Sequence, residues 1–105
     1  MTWVRICAEN EMAPGESRVV WDGDTPILVL NFDGALYAIE DKCTHEDYEL
    51  SAGPFDADEG TVECALHSAR FDVRTGQALC APAHVPVATF PVKHEDGAAW
   101  TRDNR

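Results

Sequence analysis

A chain of 105 residues has room for one compact domain and not two. Its 19 Asp and Glu against 8 Lys and Arg give a net charge of −11, which argues against nucleic acid and anionic membrane surfaces, both of which demand a basic footprint. A protein with a basic patch is the natural complement, and the 45% hydrophobic content argues against a disordered chain. The longest apolar patch, residues 26–30, is strand-sized, far short of the ~20 residues of a membrane-spanning helix. The N-terminal residues lack the basic-then-apolar pattern of a secretory signal, so the expected location is the cytoplasm. There, four cysteines are ligands or buried thiols more often than disulfides.

In chain order the pattern reads as strand almost throughout. Residues 3–7 form a first strand, and Pro14-Gly15 marks a turn. Residues 17–21 are β-branched and aromatic. Residues 27–32 and 35–40 flank Asp33-Gly34, the signature of a two-residue type I′ hairpin. A helical turn is expected at 46–50. Short strands follow at 61–64 and 70–73, then a turn at Thr75-Gly76 and an alternating strand at 87–92. Asp96-Gly97 turns into a last strand, 98–101. Such short strands with turns between them predict an antiparallel sandwich or barrel. Trp3, Trp21 and Trp100 are expected to pack in the core or on the sheets, and Cys7 and Cys80 to be ordinary thiols. His84 and His94 lack ligand spacing and are expected at the surface or as satisfied core residues.

Residues 40–63 break the strand rhythm. Nine of these 24 residues are Asp or Glu, and the cost of burying carboxylates predicts that most are solvated. Asp56-Ala57-Asp58-Glu59-Gly60 is not an EF-hand, since the sixth and twelfth positions fall on Thr61 and His67 rather than Gly and Glu. Around this segment stand Cys43-Thr44-His45 and, eighteen residues on, Cys64-Ala65-Leu66-His67. Structural zinc sites usually leave two to four residues between paired ligands, and the single residue between Cys43 and His45 is too few for comfortable binding of one ion. Two bridged irons relieve this, with Cys43 and Cys64 on one iron and His45 and His67 on the other. A zinc module is the alternative, and it predicts a colourless protein.

The two pairs, followed by Arg70-Phe71-Asp72-Val73-Arg74-Thr75-Gly76, resemble the Rieske-type ferredoxins of bacterial aromatic-ring-hydroxylating dioxygenase systems, such as those for biphenyl, naphthalene and carbazole. The likeness runs from Trp3 to Phe90-Pro91-Val92. It implies an all-β Rieske fold: an antiparallel β-sandwich base with a small inserted cluster-binding subdomain, here about 43–82 of a single domain. It implies one [2Fe–2S] cluster on Cys43, His45, Cys64 and His67, with a proline-containing loop, Cys80-Ala81-Pro82-Ala83, shielding it. It also implies a monomeric electron carrier rather than an enzyme. Single electrons would pass from a flavin-dependent ferredoxin reductase to a terminal oxygenase in aromatic-compound catabolism. An accessory subunit, such as the small subunit of an assimilatory nitrite reductase, shares the fold but often lacks the ligands, all four of which are present here.

The departures from the high-potential respiratory relatives are informative. Their two extra, disulfide-forming cysteines correspond to Tyr48 and Leu66 here, and their Ser and Tyr donors to the cluster sulfurs correspond to Ala69 and Phe71. Fewer donors destabilise the reduced cluster, which predicts a low potential. Glu46-Asp47 stands where many relatives have Gly after the first histidine.

Overall fold

The computed structural model describes residues 2–44, 48–66, 68–80 and 85–105. Among them are ten strands in three antiparallel sheets and a single 3₁₀ turn. The central sheet has the order β2-β3-β4-β8, formed by Ser17–Asp22, Thr25–Phe32, Ala35–Glu40 and Thr89–Phe90. β1 (Val4–Ala8), β10 (Ala98–Thr101) and β9 (Val92–Glu95) form a second sheet in the order β1-β10-β9. The third comprises β5 (Phe55–Asp56), β6 (Thr61–Glu63) and β7 (Arg70–Asp72).

β3 explains the layering. Its apolar run does not alternate with polar residues, because both faces are covered. Leu28 and Leu30 point into one core, with Ile39, Val62, Phe71, Val73 and Val87. Ile27 and Val29 point into the other, with Ile6, Met12, Ala38, Phe90 and Ala99. A bulge in β1 between Arg5 and Cys7 lets Ile6 and Cys7, neighbours in the chain, both turn inward to the second core.

The β3–β4 hairpin is as expected. Asp33 and Gly34 both have positive φ (56° and 90°), as a type I′ turn requires. Asp96 and Gly97 repeat the arrangement between β9 and β10 (53° and 72°).

Three expectations are corrected. The single strand expected at 87–92 is two strands: β8 pairs with β4 in the central sheet and β9 with β10 in the outer one. Pro91 stands between them, and without an N–H it cannot continue the ladder, so the chain changes sheets there. Trp21 does not pack in a core. It lies on the edge strand β2 and is 59% exposed. The helical turn expected at 46–50 is displaced: a 3₁₀ turn spans Leu50–Ala52 and shares only Leu50 with it, Tyr48 and Glu49 are irregular, and Glu46 and Asp47 lie outside the described residues.

Candidate metal centre

Cys43 and Cys64 are 1% and 0% exposed, and both belong to the core built on Leu28 and Leu30. All four cysteines are described, and all are thiols. His45 and His67 lie outside the described residues, as do Pro82 and His84.

Each buried cysteine opens a loop, and the two loops close in the same way. The Cys43 N–H donates to the Tyr48 carbonyl (2.8 Å), and the Cys64 N–H donates to the Ala69 carbonyl (2.7 Å). Each bond links residues five apart in the chain, with the histidine of each pair between them in sequence. Ser68 turns the second loop with a positive φ of 59°, and its N–H donates to the Cys64 carbonyl (2.9 Å).

The loops are anchored from outside. Asp41 is 4% exposed, and its carboxylate accepts hydrogen bonds from the Ser51 N–H and hydroxyl, both 2.7 Å. These bonds pin the 3₁₀ turn to the residues just before Cys43. Leu50, on that turn, is fully buried in the same core as both cysteines. A buried carboxylate carries its desolvation cost only where donors satisfy it, which makes Asp41 an exception to the solvated acidic segment. The Thr44 hydroxyl donates to the Val85 carbonyl (2.7 Å), and the Cys80 thiol to the Ser68 carbonyl (3.5 Å). The two ends of the 81–84 segment are thereby tied to the two cysteine loops, one each.

The stretch after the second loop is a built turn. Phe71 is fully buried in the same core as both cysteines and Ala69. Asp72 accepts from the Arg74 N–H (2.8 Å) and pairs with its guanidinium (3.2 Å). Burial raises the Asp72 carboxyl, but these bonds outweigh it and hold the group below its usual range. The Gly76 N–H donates to the Asp72 carbonyl (2.7 Å). At Gly76, φ is +77° and an added Cβ would lie 2.2 Å from the Val87 oxygen, so only glycine fits.

Cys7 lies in the other core, where burial raises its thiol pKa. His94 is exposed and pairs with Glu9 (2.5 Å). Asp56, Asp58 and Glu59 are exposed, as a solvated loop should be. Asp41 and Ser51 escaped the sequence reading because a buried carboxylate looks like its solvated neighbours in so acidic a run.

Two soft thiols, buried at the heads of two matched loops, have the donor chemistry that iron–sulfur ligation uses. The chain belongs to the Rieske [2Fe–2S] domain family, whose pattern matches residues 2–91. Within that family it is similar to the ferredoxin component of biphenyl 2,3-dioxygenase from Rhodococcus jostii RHA1, with 46% identity over 95 residues, 90% of this chain and 87% of the relative. It is also similar to the 3-phenylpropionate/cinnamic acid dioxygenase ferredoxin subunit of Escherichia coli K12, with 39% identity over 97 residues, 92% and 90% of the two chains. Among solved structures, the ferredoxin of carbazole 1,9a-dioxygenase from Nocardioides aromaticivorans IC177 superposes with a TM-score of 0.88 at 29% identity, covering 97% of this chain and 98% of the other. A chain from a complex of reduced oxygenase and oxidised ferredoxin in carbazole 1,9a-dioxygenase gives a TM-score of 0.87 at 35% identity, covering 95% and 92%. The protein is therefore a ferredoxin with one [2Fe–2S] cluster, an electron carrier rather than an enzyme. Among the described residues, no helix is long and apolar enough to cross a membrane.

Proposed function

We propose that this chain carries single electrons from a flavin-dependent reductase to the terminal oxygenase of an aromatic-ring-hydroxylating dioxygenase system, as a monomer in the cytoplasm. Cys43 and Cys64 hold one iron of the cluster, and His45 and His67 hold the other. The residues about 43–82 act as a cluster-binding subdomain within one domain. When bound, the cluster supplies a one-electron acceptor and donor.

The observation that carries this reading is the pair of matched loops. Each begins with a buried cysteine, each is closed by that cysteine's N–H five residues on, and each has its histidine within the span. The protein supplies everything else. The fully buried Leu50, Ala69 and Phe71 keep water from the thiolate side, and the Asp41–Ser51 and Thr44–Val85 bonds fix the loops so that little has to reorganise. Tyr48, Leu66, Leu79 and Val85 are exposed apolar residues on the segments around the two cysteines. An apolar contact with a solvated acidic surround suits a carrier that must bind two partners in turn and leave both.

The test is reconstitution in air-saturated buffer of the cluster-loaded ferredoxin with a nicotinamide reductant, a flavin-dependent ferredoxin reductase, a terminal ring-hydroxylating oxygenase and its aromatic substrate. Product should form only when the ferredoxin is present, and Cys43→Ser or Cys64→Ser should abolish it. Turnover without the ferredoxin, or with either variant at the full rate, would refute the proposal.

A further inference from the structure

Beside the first cysteine loop lies an open groove of about 380 Å³, lined among others by Trp21, Asp24, Glu40, Asp41, Tyr48 and Glu49. Trp21 is the most exposed aromatic side chain among the described residues, at 59%. An indole this bare gives up burial without gain to the fold. Trp is rare on free surfaces but common at the centres of interfaces. The groove carries four carboxylates against one ammonium, Lys42. Glu40 is engaged by Arg105 (3.2 Å) and Asp41 by Ser51, so Asp24 and Glu49 are its exposed carboxylates.

An open indole face flanked by carboxylates is the chemistry that recognises a guanidinium or ammonium. The ring attracts the cation through its quadrupole, and the carboxylates add hydrogen bonds and charge. The same stacking already operates within the molecule at Trp3, where Lys93 and Arg102 each lie 4.5 Å from the ring centroid. The groove adjoins the first cysteine loop, since Tyr48, which lines it, closes that loop through its carbonyl. A partner seated over that loop therefore reaches Trp21 without a separate contact.

We propose that this groove receives a basic side chain, arginine or lysine, of the terminal oxygenase and so provides a lateral anchor for docking. The proposal rests on the electron-transfer reading above and assigns the groove to one of its two partners. The oxygenase is the occupant assigned, because a chain of a solved oxygenase–ferredoxin complex superposes on this one with a TM-score of 0.87, and the reductase step serves as the contrast in the test.

The test uses the full ferredoxin loaded with its cluster, chemically reduced, and the terminal oxygenase of the reconstituted system in stopped-flow at several ionic strengths. Trp21→Ala should weaken oxygenase binding roughly 3- to 10-fold, the range of a partly desolvated cation–π contact. The double variant Asp24→Asn, Glu49→Gln should weaken binding and flatten its salt dependence. Asp58→Asn, which removes charge from an exposed loop outside the groove, should leave binding within about twofold. Reduction of every variant by the reductase, its midpoint potential and its EPR spectrum should match wild type. Wild-type affinity in Trp21→Ala would overturn the proposal. So would a loss in Asp58→Asn equal to that of the groove variants, or a loss confined to the reductase step. If wild-type protein itself fails to reduce the oxygenase, the electron-transfer reading fails instead.

Discussion

Gly53→Ala should disable cluster assembly although residue 53 carries no ligand. Gly53 follows the 3₁₀ turn and donates its N–H to the Leu50 carbonyl (3.0 Å), and the next residue, Pro54, accepts from the Glu63 N–H (3.0 Å). The backbone is ordinary there, with φ −100°, so left-handed strain plays no part. The obstacle is space. A Cβ at this position would lie 1.8 Å from the Glu63 carbonyl oxygen and 3.1 Å from the Ala65 nitrogen, where ordinary contact starts at 3.4 Å. The oxygen must retreat by about 1.6 Å, and it belongs to the peptide that joins Glu63 to Cys64. A site of this kind tolerates displacements of only ~0.5 Å. Overpacking costs about 1–3 kcal/mol, and disturbing the Glu63–Pro54 bond adds about 1 kcal/mol. The sum, roughly 2–4 kcal/mol, is a large part of a small domain's ~5–15 kcal/mol. Iron content per chain, visible absorption and thermal unfolding are the assays. The variant should purify with substoichiometric iron and a lowered Tm. Full iron content with wild-type spectrum and Tm would refute the packing argument.

Other predictions address potential, anchoring and pH. The wild-type midpoint should fall toward the low end of the Rieske range of about −150 to +300 mV, and Phe71→Tyr should raise it, because Phe71 is buried in the core that holds both cysteines and a hydroxyl that reaches a cluster sulfur adds a donor. A wild-type value above roughly +100 mV, or no change in the variant, would contradict this in protein-film voltammetry. Asp41→Ala should cost about 2–3 kcal/mol in denaturant unfolding, since it removes both charge-assisted hydrogen bonds from Ser51; a loss under ~0.5 kcal/mol would contradict it. The Asp103 carboxyl is held well below its usual range, first by the Arg105 side chain and N–H and then by the Thr25 hydroxyl. A depressed carboxylate stabilises the fold fully above its ordinary pKa of about 3.9 and loses that contribution as pH falls through the lowered value. Asp103→Asn should therefore lower Tm at neutral pH, with the gap to wild type narrowing only as pH drops below that ordinary value; a gap constant into strong acid would contradict the linkage.

Much of the fold was legible in the sequence, for reasons that differ between elements. The β3–β4 hairpin could be read because Asp33-Gly34 accepts positive φ at both positions, which sets the register of the flanking strands. The break at Pro91 was missed because Val87, Thr89 and Pro91 keep the period of a strand while the ladder passes from one sheet to another. The Cys-x-His and Cys-x-x-His pairs stood out because their spacing reflects ligand chemistry. The supports did not. Asp41 resembles every other carboxylate in its segment until burial and the Ser51 bonds single it out. Gly53-Pro54 reads only as a loop signal, because what excludes a side chain is a backbone ten residues further along. Trp21 was assigned to packing because large aromatic residues are usually buried, and its exposure depends on β2 being a sheet edge.

The most direct test of the cluster assignment is pulsed EPR of the reduced protein grown with ¹⁵N-histidine, with His45→Cys and His67→Cys beside it. The account predicts an EPR signal of low average g, with couplings from two histidine nitrogens in the wild type and loss of that signature, or of the cluster, in each variant. A wild-type spectrum without histidine coupling, or an unchanged spectrum in either variant, would contradict it.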